Sequence, residues 1–197
     1  MKIVCLGDSI TDNRDSSNGK SYVDYWQELI DQAGQQHQLI NAGASGETAQ
    51  DGYYRLDRDV IAHQPGLVTI MFGHNELGRG LSVDHFESYL NLLIQKLTKT
   101  LPHTKVWILT PNKVADPHQQ SRYKPLLARL RVPDPRFTLI DIWQAFEGQD
   151  LDSIYSYQYD YNGLTGQDWL HPNARGHRLI AKTLATRLNE THQSDNK

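Results

Sequence analysis

The chain has 197 residues, 38% of them hydrophobic and 22% charged, with a single cysteine and a formal charge of −3; its mean hydropathy is −0.62 and its isoelectric point about 6.3. That length suits one domain with enough core to fold unaided, and the scattered Lys and Arg argue against a nucleic-acid or anionic-membrane partner. A lone cysteine closes no internal disulfide, and no stretch approaches the roughly 18 apolar residues of a membrane span.

The N-terminus, "MKIVCLGDSI", has one basic residue and then too short an apolar run before Gly7 for a signal-peptide core. A cytoplasmic protein is expected. Residues 2–6 read as a first strand, with Cys5 a buried core residue rather than a nucleophile or ligand. Gly7 lets the chain turn sharply out of that strand into "GDSIT". The stretch "SSNGKS" at 16–21 has the end of a phosphate-loop pattern but Arg14 where that pattern needs glycine, so it is rejected. Tyr22, Tyr25, Trp26, Leu29 and Ile30 then share one helical face. A second strand, "LIN" at 39–41, leads into "NAGASGET", where Gly46 allows close backbone approach to a ligand and Thr48 can start a helix. "LVTIMF" at 67–72 is a third strand and runs into "FGHNE". Phe86, Leu90, Leu93 and Leu97 mark a helix that Ser82 can cap.

"KVWIL" at 105–109 and "FTLID" at 137–141 complete the strands, separated by an irregular region at 112–120. A longer irregular stretch runs from Glu147 to Pro172; loops of that length in compact domains are usually functional or mobile. The last helix spans about 174–190, with Ile180, Ala181, Leu184 and Leu188 on one stripe, and 191–197 is expected to be a frayed polar tail. The longer strands are apolar without alternation, as in strands buried on both faces. The fold class is therefore α/β: a three-layer α/β/α domain over 1–190 with a central, about five-stranded parallel sheet of flavodoxin-like type. In such sheets ligands bind at the carboxyl ends of the strands, so "GDSIT", "NAGASGET", "FGHNE" and "DWLHPN" can converge at one edge.

Each segment alone stays open. Ser9 reads as a turn or capping residue or as a nucleophile, and Asp8 as a loop acceptor. Asn75 can cap a helix or aim its amide at an oxyanion. Asp168 can accept from one ring nitrogen of His171 and leave the other as a base; as a metal site the pair lacks a third ligand at regular spacing. His74, beside Asn75, is the one other histidine placed near this edge.

Taken in order, the four segments resemble the blocks of the SGNH hydrolases, the GDSL-type esterases and acylhydrolases. The resemblance runs from Lys2 to about Leu188 and includes "LID" at 139–141. It implies that Ser9 is the nucleophile, His171 the general base and later acid, and Asp168 its orienting partner. It implies an oxyanion hole made of the backbone N–H groups of Ser9 and Gly46 and the side-chain amide of Asn75, with no cofactor and no metal. The chain departs from the family pattern at Asp12 and Asn13, at Glu76 where aspartate is common, and at Trp169 where glycine is common. The G-x-S-x-G elbow of the α/β-hydrolases fits neither "GDSIT" nor "GASGE".

Nothing resembles a hydrophobic lid, which favours short-chain carboxylic esters as small-molecule substrates, without nucleic-acid or membrane partners. Tyr155, Tyr157, Tyr159 and Tyr161 alternate: they read as an extended segment packed on one face, or as an aromatic rim suited to a sugar ring. Trp169 can serve the same rim. Asp8, His74, Trp169 and Tyr161 are the candidate substrate-binding residues, and a carbohydrate O-acetyl esterase is the expected specificity. A thioesterase or lysophospholipase with the same triad, or a non-catalytic small-ligand module, are the alternatives.

Overall fold

Val4 and Leu6 of the first strand, β1 (Lys2–Gly7), pack into one apolar cluster, and Ile3 and Cys5 into another on the opposite side of the sheet. The same division splits Val68 and Ile70 from Leu67 and Met71, and Val106 and Ile108 from Trp107 and Leu109. Two buried faces explain strands that are apolar without alternation. The computed structural model describes residues 1–12, 19–159 and 165–195.

After β1 come α1 (Ser9–Asp12), α2 (Tyr22–Gln32), β2 (Gln38–Gly43) and α3 (Ala49–Asp59). Next are β3 (Leu67–Met71), α4 (His74–Gly78), α5 (Val83–Thr100), β4 (Lys105–Leu109), α6 (Pro117–Leu130) and β5 (Thr138–Ile140). The five strands pair in parallel in the order β2-β1-β3-β4-β5. The chain moves outward from β1 to β2 and then returns across β1 to β3. The connections leaving β1 and β3 therefore diverge, which opens a crevice between their carboxyl ends.

The chain closes with α7 (Ile142–Ala145), α8 (Leu151–Ile154), a two-stranded antiparallel ribbon of β6 (Tyr155–Tyr159) and β7 (Thr165–Pro172), and α9 (Ala174–Asp195). On one face of the main sheet lie α2 and α9, whose Tyr22, Trp26, Ile30, Ile180 and Leu184 are buried against it. Trp26 stacks on Trp107 with ring centroids 6.3 Å apart. On the other face lie α3, α5 and α6, with Leu56, Phe86, Leu93, Leu97 and Leu126 buried. The result is the three-layer α/β/α arrangement. Each fully buried side chain of this size contributes about 1.5–3 kcal/mol.

Helix starts follow local chemistry. Ser21 and Asp24 form a capping box at α2, as do Thr48 and Asp51 at α3, and Ser82 accepts from the His85 N–H at α5. Two expectations change. The region at 112–120 becomes regular from Pro117, because Asp116 caps the first turn and proline tolerates the first helical position. The stretch from Glu147 to Pro172, expected to be irregular, carries α8 and the β6–β7 ribbon among its described residues. The last helix, α9, runs to Asp195. No helix among the described residues is long and apolar enough to cross a membrane.

Candidate active site

Ser9 is the first residue of α1, directly beyond the carboxyl end of β1. A Cβ on Gly7 would lie 2.2 Å from Thr11 Oγ1 and 2.9 Å from the Met71 carbonyl, so only glycine lets α1 fold back so tightly. The Asp8 carbonyl accepts from the N–H groups of Thr11 and Asp12, and its carboxylate from that of Ile10 at 3.0 Å. Ser9 is thereby held at the sheet edge, 8% exposed.

His171 reaches Ser9 from the ribbon. Its Nε2 lies 2.9 Å from Ser9 Oγ across 162 residues of sequence. Its Nδ1 lies 2.6 Å from Asp168 Oδ2, while Asp168 Oδ1 accepts from the N–H groups of Leu170 and His171. Burial pushes the Asp168 carboxyl upward, but the bond and charge of His171 and the two backbone donors outweigh it and hold Asp168 below its ordinary value. Asp168 is thus poised to stay ionised beside the imidazole. An Asp-bound Nδ1 places the ring proton there and leaves Nε2 facing the hydroxyl as an acceptor.

The loops after β2 and β3 flank this pair, because those strands are the two neighbours of β1. Gly46 has φ +81°, the left-handed region, with open space where a side chain would stand. Asn75, on α4, donates one amide N–H to the Glu47 carbonyl at 2.8 Å, which leaves its second N–H to point elsewhere. Asp12 holds the same loop through the N–H and hydroxyl of Ser45, at 3.1 and 2.9 Å.

Two of the candidate substrate-binding residues, Asp8 and His74, are buried. Asp8 is 1% exposed and His74 4%. Burial pushes the Asp8 carboxyl up to about 7, with the nearby Glu76 adding to the rise and the Ile10 N–H and His171 opposing it. Both nitrogens of His74 are engaged, Nδ1 with the Tyr123 hydroxyl at 2.8 Å and Nε2 with Asn112 Oδ1 at 2.9 Å. Asn112 donates to the Leu170 carbonyl and the Tyr155 hydroxyl, each at 3.1 Å, and the Tyr155 hydroxyl itself donates to the Lys113 carbonyl. Asn112 Oδ1 must therefore be the acceptor toward His74, which makes Nε2 the protonated nitrogen of a neutral ring. Burial, which pushes His74 down to about 4, keeps it neutral. Trp169, by contrast, is 46% exposed beside Asp168, with its carbonyl tied to the Ala115 N–H at 2.9 Å. Tyr161 lies outside the described residues.

Asn112 was not singled out in the sequence, although it follows the fourth strand where the strand-end rule directs attention. Among the described residues no three His, Cys, Asp or Glu side chains gather as a metal site would require.

A strand-end serine, an imidazole and a carboxylate in hydrogen-bonded series on a 2-1-3-4-5 parallel sheet are the geometry of a serine hydrolase site. The model of the GDSL-like lipase/acylhydrolase family matches residues 5–179, and the chain belongs to that family. It is a hydrolase acting on carboxylic esters. It is 26% identical over 208 residues to an acetylxylan esterase of Geobacillus stearothermophilus, covering 92% of this chain and 90% of that one. The crystal structure of a lipase/acylhydrolase from Enterococcus faecalis superposes with a TM-score of 0.76 at 26% identity, over 96% of each chain. The psychrotrophic esterase EstA of Pseudoalteromonas sp. shares the fold, with a TM-score of 0.72 at 22% identity over 98% of each chain.

Proposed function

We propose that Ser9 is the nucleophile of a short-chain acyl esterase whose substrate is an O-acetylated carbohydrate. The observation that carries the reading is the unbroken series Ser9 Oγ, His171 Nε2, His171 Nδ1, Asp168 Oδ2, with links of 2.9 and 2.6 Å. His171 takes the Ser9 proton as Oγ bonds to the ester carbon, and the carbonyl electron pair moves onto oxygen. The backbone N–H groups of Ser9 and Gly46 and the second N–H of Asn75 receive that oxyanion; a donor of this kind is worth about 2.7–4 kcal/mol of barrier. His171 then gives its proton to the departing alkoxide, leaving an acyl-Ser9. Water, deprotonated by the same nitrogen, reverses the sequence and releases the acid.

The exposed indole of Trp169 supports a sugar as the alcohol part, since an apolar ring face beside the base suits stacking on a pyranose. The similarity to an acetylxylan esterase points the same way. Turnover of peracetylated xylose and of acetylated xylo-oligosaccharide is compared with that of p-nitrophenyl acetate, for the native protein and Ser9→Ala. Sugar acetates are expected to be hydrolysed with the higher kcat/KM, and Ser9→Ala to lose both activities. Equal or slower turnover of the sugar acetates, or a preference that grows with acyl length, sinks the carbohydrate assignment.

A further inference from the structure

The loop between β2 and α3 carries Gly46 and fixes Asn75 through the Glu47 carbonyl, so its own anchorage decides where both donors stand. Asp12 holds the loop at Ser45 and Arg79 holds it at the Gly46 carbonyl, and its tie to the strand end before Ser9 is Arg55. From the middle of α3, with its side chain only 10% exposed, Arg55 donates through Nε to Glu47 Oε2 at 2.5 Å. Through Nη2 it donates to the Gly7 carbonyl at 3.0 Å, and through Nη1 to the Ala42 carbonyl at 2.7 Å and Asp59 Oδ2 at 3.0 Å. Gly7 and Ala42 stand at the carboxyl ends of neighbouring strands, and Gly7 is two residues before Ser9. One rigid fork thus ties the strand end that leads into Ser9 to the loop that carries Gly46.

We propose that Arg55, acting through Glu47, is a positioning residue that sets the oxyanion donors relative to Ser9; the inference rests on the esterase reading given above. Glu47 is held from two sides, its carboxylate by Arg55 and its carbonyl by Asn75 Nδ2. The helix behind the fork is itself seated tightly: a Cβ on Gly52 would lie 2.6 Å from Phe72 Cζ, so α3 sits directly on the sheet. Asp59, one turn on from Arg55, fixes the guanidinium from the other end. A planar guanidinium can serve two carboxylates and two carbonyls at once; an ammonium at the end of a flexible stem cannot. A donor misplaced by about 1 Å costs on the order of 100-fold in rate, and removal of one oxyanion donor costs about 100- to 1,000-fold.

The test uses Arg55→Lys, Arg55→Met and Glu47→Gln, with folded protein quantified by thermal melting and active Ser9 counted by fluorophosphonate titration. With p-nitrophenyl acetate, kcat per active site is expected to fall by about 10- to 100-fold in Arg55→Met, with KM changed less than about threefold. Arg55→Lys and Glu47→Gln should fall between that variant and the native protein. The Ki of an alkyl trifluoromethyl ketone, which adds Ser9 Oγ and leaves an oxyanion in the hole, should weaken in step with kcat/KM. A merely structural Arg55 would lower melting temperature without moving that Ki. Folded variants with native kcat and native Ki, or with a raised KM alone, overturn the proposal. A Ser9→Ala protein that stays active would instead overturn the esterase reading beneath it.

Discussion

Asp8 is a carboxyl group placed where water cannot reach it, one residue from Ser9, with Oδ2 lacking a hydrogen-bond partner among the described residues. Its ordinary value is 3.8 and burial pushes it up to about 7. Between those values the folded chain holds a proton that the unfolded chain has lost. The contribution to stability is therefore full below about pH 4 and is lost as pH rises toward 7. His74 and His177 act oppositely: burial pushes both down to about 4, so their contribution is present above pH 6.5 and is lost as pH falls. The three slopes overlap, and a substitution separates them. Asp8→Asn should gain stability relative to the native protein between pH 5 and pH 8, by about 1–4 kcal/mol at roughly 1.4 kcal/mol per unit. Urea unfolding at the two values measures this, and a difference that stays constant contradicts the buried-acid account.

At the scale of elements, the strand end that carries His171 is held by its neighbours rather than by its own sequence. The β6–β7 ribbon brings Asp168 to His171, but Asn112 beyond β4 fixes the Leu170 carbonyl, the buried Tyr155 and the His74 ring together. Asn112→Ala strands an imidazole N–H and a carbonyl in a buried site. It should cost about 2–4 kcal/mol in urea unfolding, and kcat should drop more than KM rises. A loss below about 0.5 kcal/mol would mean that the network is dispensable. This network also marks where the sequence stops being informative. "KVWIL" and "LVTIMF" announce buried parallel strands by their unbroken apolar character, and Ser82 announces its helix by its place before an amphipathic run. Asn112 carries no comparable pattern, because its partners are up to 58 residues away and meet only when the sheet is assembled. For the same reason Asp8 and His74 read as candidate substrate-binding residues in polar segments, whereas the packing of α1, α4 and α6 encloses them.

For the molecule as a whole, strand order converts scattered residues into a site. Returning across β1 to β3 places Ser9, Gly46 and Asn75 on adjacent strand ends, and the ribbon carries His171 back across 162 residues to meet the serine. The four polar segments were legible as a set because each follows a recognisable strand or precedes a helix. The distances between them were not, since they depend on the register of the sheet and on α9 packing beside α2. We propose that this assembly activates Ser9. The most direct test is the intact mass of the native protein and of Ser9→Ala after exposure to a fluorophosphonate. One phosphonyl adduct on the native protein and none on Ser9→Ala is the predicted result; no adduct on either, or an equal adduct on both, would contradict an activated Ser9.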